Sequence, residues 1–289
     1  MGNKITDFNE IKSIRINNNR SLCFTTPKVM GILNLTPDSF YDGDTYNNSD
    51  KILLRVENML KEGADIIDIG AVSTRPGADT IDVEIELSRL INPVELIIKN
   101  FPEAIISIDT YRSKVAKELA AIGAHMINDI SGGTFDNNMF KTIAKLNIPY
   151  VLMHINGTPQ NMQTNPIESS ILLTVKSFFS TQIKSLEKEG FNKIILDPGI
   201  GFGKSVGSNY EIIKNLEDLR FNDYPLMVGT SRKSMINKVL DTDPSEALAG
   251  TISLNTMALL NGANIIRVHD VKEAKQVISI VKEYNKSNN

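Results

Sequence analysis

Eight positions along the chain carry polar side chains able to bind or transform a small ligand, each at or just after the end of a short apolar run. In order they are Asn34, Asp68, Asp109, Asn128, His154, Asp197, the Ser231-Arg232-Lys233 group, and Arg267 with His269. Any one could be a loop cap or a satisfied core group, but eight in succession form a pattern. The set divides by charge. Asp68, Asp109, Asn128 and Asp197 suit a neutral heterocycle with adjacent N–H donors, because an ionised carboxylate accepts two parallel hydrogen bonds and an amide both donates and accepts. Lys204, Arg232, Lys233, Arg267 and His269 are cationic or can become so. A guanidinium forks onto phosphate oxygens, and a lysine adds a mobile point charge. Two ligand portions are expected, one heterocyclic and one phosphorylated.

The stretch Asp197-Pro-Gly-Ile-Gly-Phe-Gly-Lys-Ser205 invites a nucleotide reading, which fails. A P-loop ending at Gly203-Lys204-Ser205 needs Gly where Pro198 stands. The dinucleotide fingerprint needs a third Gly where Lys204 stands. What remains is a flexible loop that brings backbone close to a ligand, with Phe202 available to cover it. His125 is expected to be packed or surface-facing. His154 stays open between ligand, acid/base and ordinary polar contact. The three histidines are too dispersed for a His-ligated metal centre, and the one cysteine, Cys23, can form no internal disulfide.

Eight short apolar runs must position these residues: Val29–Leu33, Ile66–Ile69, Ile105–Ile108, His125–Ile127, Tyr150–Met153, Ile194–Leu196, Leu226–Val228 and Ile265–Val268. Several are almost wholly Ile, Leu and Val, as strands covered on both faces should be. Amphipathic stretches lie between them. In Ser49–Lys61, for example, Ile52, Leu53, Val56, Met59 and Leu60 recur on one helix face before Gly63 closes the helix. Glycines 123, 190 and 262 repeat that punctuation. The pattern predicts an α/β fold, a single (β/α)8 TIM barrel, with an open doubly wound sheet as the weaker alternative. Active sites of such barrels lie at the C-terminal ends of the strands, where the polar residues fall. Residues 1–27 read as an N-terminal hairpin extension, Ser13–Ile16 and Ser21–Phe24 flanking three asparagines, and residues 28–286 as one barrel domain. A net charge of −3 over 289 residues argues against nucleic acid as the main partner. The N-terminus lacks the apolar core of a secretory signal, and no run approaches the about 18 apolar residues of a membrane span. A cytoplasmic location is the expectation.

Several segments together resemble the dihydropteroate synthase family, from about Lys28 to Val271. They are Met30-Gly-Ile-Leu-Asn-Leu-Thr-Pro-Asp-Ser-Phe-Tyr-Asp-Gly43, Ser73-Thr-Arg-Pro-Gly77, Ile108-Asp-Thr110, Ile127-Asn-Asp-Ile130, Leu196-Asp-Pro-Gly199, Val228-Gly-Thr-Ser-Arg-Lys233 and Ile266-Arg-Val-His-Asp270. The resemblance implies that Asp109, Asn128, Asp197 and Lys233 hold a pterin, with Met153, Phe202 and Gly229 beside it. It implies that Asn34, Arg267 and His269 hold the pyrophosphate, Asn34 also lying near a magnesium ion. Thr74, Arg75, Pro76 and Ser234 would form the para-aminobenzoate pocket, and Asp109, Lys233 and Arg267 the catalytic set. A homodimer is implied as well. Departures are Ala71-Val72, where the family commonly has Gly-Glu, and Tyr41 with Asp44-Thr45-Tyr46 in the first loop. These bear on loop conformation and aminobenzoate affinity.

The implied reaction makes physical sense of the residues. Pyrophosphate leaves from the pterin methylene and the amine of para-aminobenzoate attacks that carbon, so the protein's main task is electrostatic. Two rivals share parts of the pattern. A methyltetrahydrofolate-dependent corrinoid methyltransferase domain would share fold and pterin pocket without needing the first-loop and Ser-Arg-Lys signatures. A non-catalytic pterin-binding barrel could lose Asn34 and the pyrophosphate cations. The loops Thr36–Tyr46 and Ser73–Thr80 are expected to order only over bound ligand, so that para-aminobenzoate binds second.

Overall fold

The computed structural model describes residues 13–17, 19–35, 45–74, 77–78 and 80–287, with side chains of the segment opening at 45 described from Ser49 onward. Strands β1 (Ile14–Arg15) and β2 (Ser21–Leu22) pair antiparallel as the expected N-terminal hairpin. Eight further strands form one parallel sheet: β3 (Lys28–Asn34), β4 (Ile66–Gly70), β5 (Ile106–Asp109), β6 (Met126–Asp129), β7 (Tyr150–Met153), β8 (Ile194–Asp197), β9 (Met227–Val228) and β10 (Ile265–Val268). Neighbours follow chain order from β3 to β8, and β10 lies between β3 and β9. A parallel bridge between Leu196 and Leu226 joins β8 to β9 and closes the ring. A doubly wound sheet would reverse its strand order part-way and keep two open edges, so that alternative is excluded.

Helices α1 (Thr45–Lys61), α2 (Val83–Asn100), α3 (Ser113–Ile122), α4 (Met139–Leu146), α5 (Ile171–Lys188), α6 (Val206–Lys214), α7 (Ser234–Leu240), α8 (Leu248–Leu260) and α9 (Val271–Lys286) return the chain between strands. Their apolar faces set the packing. Val175, Phe179, Ile183 and Leu186 of α5 recur at one-turn spacing and are buried against the sheet. Most helices are stopped chemically: Gly123 after α3 and Asn147 after α4 adopt left-handed backbone, the former with φ of 119°.

The core is divided in two. One part lies between sheet and helices. The other fills the N-terminal end of the barrel interior, where Met30, Ile66, Met126, Val151, Ile195, Met227 and Ile265, the first inward-facing residues of their strands, meet Ile14, Ile16, Leu22 and Phe24. The hairpin is therefore a floor as well as an extension. Expected and observed strand bounds differ by one or two residues, chiefly because polar residues at the C-terminal ends stay inside the ladder. Asp109, Asn128, Asp129 and Asp197 are strand residues rather than the first residues of loops.

Candidate active site

Side chains alternate along a strand, so the residue two places after each floor residue also faces the interior, one layer higher. This step leads from Ile66 to Asp68, Met126 to Asn128, Val151 to Met153, Ile195 to Asp197, Met227 to Gly229 and Ile265 to Arg267. Asp109 completes the layer from β5. The result is a polar ring directly above a dry floor.

Arg267 is its centre. The guanidinium donates from Nε to Asp68 Oδ2 and from Nη2 to Asp109 Oδ2, both at 2.7 Å. Asp68 Oδ2 also accepts from Asn128 Nδ2 at 2.8 Å. One arginine thus ties three strands, although its partners stand 199 and 158 residues away in sequence. Burial pushes Asp109 up to about 7, aided by Asp68 and opposed by Arg267. Burial also raises Asp197, against the pull of Lys233 and of the Gly199 N–H that it accepts at 2.7 Å. Lys233 is held down to about 8 by burial, with Asp197 opposing. Its Nζ donates to the Ile200 carbonyl and lies 4.7 Å from the centre of the Phe202 ring. Gly229 lies between these cations, where a Cβ would stand in ordinary contact, 3.7 Å from Arg267 Cβ and 3.8 Å from Lys233 Nζ.

The glycine-rich loop after β8 is tied down at several points, contrary to the flexible segment expected. Lys204 is buried, and its Nζ donates to the carbonyls of Gly199 at 2.7 Å, Phe202 at 3.0 Å and His154 at 3.1 Å. Its three donors are spent on backbone, which removes it from the expected phosphate cluster; burial lowers it to about 7. Asn209 accepts from Gly201 N at 2.7 Å, and Gln163 donates to Gly201 O at 2.9 Å. At Gly199, with φ of 68°, any Cβ would lie 1.9 Å from the His154 carbonyl oxygen, so only glycine fits. His154 packs edge-on against Phe178, and its buried Nδ1 has no partner among the described residues. Burial, then Lys204, hold it down to about 3. It is neutral at physiological pH and packs against Phe178.

The remaining cations divide. Arg232 lies outside the ring in a forked pair with Asp270, at 3.1 and 2.6 Å. His269 is held down to about 4 by burial and then by Arg267 and Arg232, so at neutral pH it is an uncharged hydrogen-bonding group; its Nδ1 meets Ser231 Oγ at 3.0 Å. Asn34 is exposed at the end of β3, Ser234 is exposed at the start of α7, and Thr74 is half-buried. Arg75 and Pro76 lie outside the described residues, as do Asp38 and Phe40 of the first loop.

Two supports were missed from sequence. Asp129, buried beside the ring, accepts from Ser131 N and Oγ, Gly133 N and the Tyr150 hydroxyl, anchoring the turn after β6. The motif Ile127-Asn-Asp-Ile130 was its only sequence signal. Buried Glu86 of α2 accepts from Thr110 Oγ1 at 2.7 Å and pairs with Arg112, holding the segment that follows Asp109. Nothing in the sequence linked Glu86 to a residue 24 positions away. Val72, at the departure from the family pattern, is half-buried, while the Ala71 carbonyl accepts from Arg89 at 3.2 Å.

Comparison with known proteins places this geometry. The family described as "Pterin binding enzyme" matches residues 30–269. A dihydropteroate synthase of Escherichia coli is 43% identical over 263 residues, covering 90% of this chain and 93% of that protein. Among solved structures, dihydropteroate synthase of Yersinia pestis with a sulfonamide drug complex has a TM-score of 0.88 at 39% identity, covering 95% of this chain and all of that one. The enzyme of Burkholderia cenocepacia complexed with 7,8-dihydropteroate has a TM-score of 0.85 at 34% identity, covering 96% and 98% of the two chains.

Proposed function

Because this chain belongs to the pterin-binding enzymes, and within them to the dihydropteroate synthases, we infer that the ring around Arg267 is where it does the family's chemistry. The chain is a transferase of folate biosynthesis. It condenses 6-hydroxymethyl-7,8-dihydropterin pyrophosphate with para-aminobenzoate to give 7,8-dihydropteroate and pyrophosphate.

The observation that carries the site assignment is the forked pairing of Arg267 with Asp68 and Asp109. A guanidinium has five N–H donors, and two of them face these carboxylates. The others remain for oxygens of the departing pyrophosphate, with neutral His269 and Asn34 at the rim. Asp109, Asn128, Asp197 and Lys233 hold the pterin, with Met153, Phe202 and Gly229 against it. As the C–O bond to pyrophosphate breaks, positive charge spreads from the methylene into the ring, and the Asp109 carboxylate stabilises it. The aniline nitrogen then forms the new C–N bond and gives up a proton to solvent. Thr74, Arg75, Pro76 and Ser234 bound the aminobenzoate.

Magnesium fits this donor set in one way. Asn34 offers a single exposed oxygen, and Mg2+ typically keeps several waters and binds through one or two protein ligands plus substrate phosphates. When bound it neutralises charge on the leaving group. Two copies of the chain form a homodimer in this reading, supported by α8, which leaves Met257 49% exposed and Leu260 exposed one turn further on. The described hairpin and the barrel act as one unit, since Ile14, Ile16, Leu22 and Phe24 share the barrel's inner core. The exposed, unpaired Cys23 accords with a cytoplasmic location. Pyrophosphate release that requires both substrates, and is lost in Arg267→Ala, is the deciding assay; release unchanged in that variant would remove the assignment.

A further inference from the structure

The hydrogen bonds of the ring converge on Asp68, which the polar pattern groups with the heterocycle's partners and to which the resemblance gives no role. Asp68 has no exposed surface. Its Oδ2 accepts from both Asn128 Nδ2 and Arg267 Nε, and its Oδ1 is buried without a partner among the described residues. A carboxylate facing a guanidinium accepts hydrogen bonds and donates none. An asparagine amide, by contrast, has two ends of nearly equal shape and opposite polarity. Only its NH2 end can satisfy Asp68, since the other orientation would set oxygen against oxygen. The amide of Asn128 is therefore held with Oδ1 turned away, leaving one N–H and that oxygen for a ligand.

We propose that Asp68 is a specificity-determining residue. By fixing the Asn128 amide it makes the pocket select a 2-amino heterocycle over its 2-oxo counterpart, and through the same oxygen it aims Arg267. The chemistry of the two ligands makes this selective. A pterin presents an amino donor beside an unprotonated ring nitrogen, whereas lumazine presents a carbonyl acceptor beside a ring N–H. A flipped amide would suit the second order as well as the fixed amide suits the first. The preference for the amino compound then originates in a side chain that need not touch it. This proposal rests on the pterin occupying the ring.

Calorimetry on the intact protein with pterin and with lumazine tests it. The wild-type chain is expected to bind pterin at least about tenfold more tightly, the effect of one mismatched buried polar pair. Asp68→Asn can donate as well as accept, so it frees the amide to turn, and the ratio should fall to about threefold or less, mainly through tighter lumazine binding. Should that variant not fold, Asp68→Ser, whose hydroxyl also donates and accepts, replaces it. In an Asn128→Ala background the Asp68 substitution should leave the ratio unchanged, because the two residues then have nothing to couple. An unchanged ratio in a folded Asp68 variant, an equal loss for both ligands, or no preference in the wild type would overturn the proposal. Wild-type protein that binds neither compound would instead overturn the placement of the pterin, and the proposal with it.

Discussion

The floor of the barrel and its mouth are lined by the same strands two residues apart, yet they are stabilised by opposite means. At the floor, Met30, Ile66, Met126, Val151, Ile195, Met227 and Ile265 exclude water with the help of Phe24 and the hairpin. At the mouth, Asp68, Asp109, Asn128 and Arg267 are satisfied chiefly by one another. Burial of apolar area depends on volume and tolerates exchange of similar shapes. A buried ion cluster depends on every member, because the loss of one strands the rest. Substitutions at the floor should therefore change stability alone, and those at the mouth both stability and catalysis.

Arg267→Ala should give the largest effect. It leaves two buried carboxylates unpaired, so urea unfolding should report about 3–5 kcal/mol of lost stability, and steady-state kinetics should show kcat/KM falling more than about 100-fold. Arg267→Lys keeps the charge and loses the fork, for a fall of roughly tenfold. A wild-type rate and pyrophosphate affinity in Arg267→Lys would show that the Arg267 fork does not clamp the phosphates. Phe24→Ala should cost a comparable 3–5 kcal/mol or so in stability, with both KM values within about twofold of wild type. A larger shift in either KM would show that the two layers communicate.

Asp197→Asn and Lys233→Ala should each weaken pterin binding by about 1–3 kcal/mol, measured by calorimetry. Unchanged affinity in both would take the heterocycle out of the ring. The smallest effect concerns pH. Asp109 is raised to about 7 from an ordinary 3.8, so kcat/KM for the pterin substrate should climb as pH rises through about 7 and the carboxylate forms. Its contribution to stability runs the other way. It is full below the unfolded-state value near 3.8 and is lost as pH rises through about 7, because over that range the folded chain binds the extra proton. Asp109→Asn should remove both slopes, and a pH–rate profile keeping its acid limb in that variant would assign the limb to another group.

Much of the mouth was legible in the sequence because alternation and the barrel's polarity together dictate which residue of each strand meets ligand. Asp109, Asn128 and Asp197 sit in the last two positions of their strands, where apolar runs stop, and Asp68 and Arg267 interrupt runs of isoleucine and valine one or two residues before the strand ends. The pairing of Arg267 with Asp68 and Asp109 was not legible, since it depends on how the ring closes across well over a hundred residues. Lys204 misled for a related reason. A lysine in a glycine-rich loop has the composition of a phosphate site, and only the fold of the loop shows its Nζ turned inward onto three carbonyls. The hairpin was legible as an extension, but its filling of the barrel interior depends on Phe24 and Ile14 meeting residues of strands far along the chain.

The sealed floor has a practical consequence for handling the molecule. The segment leading into β3, at Thr25 and Pro27, lines a small cavity together with Ile278, Val281 and Asn285 near the end of α9. The first and last described stretches of chain thus meet on the face opposite the mouth. A tether joined at the first or last described residue, Ser13 or Ser287, whether an affinity tag, a reporter or a link to a sensor surface, hangs from the underside and leaves the opening turned toward the bulk solution. Protein immobilised through either of those two residues should titrate as free protein does.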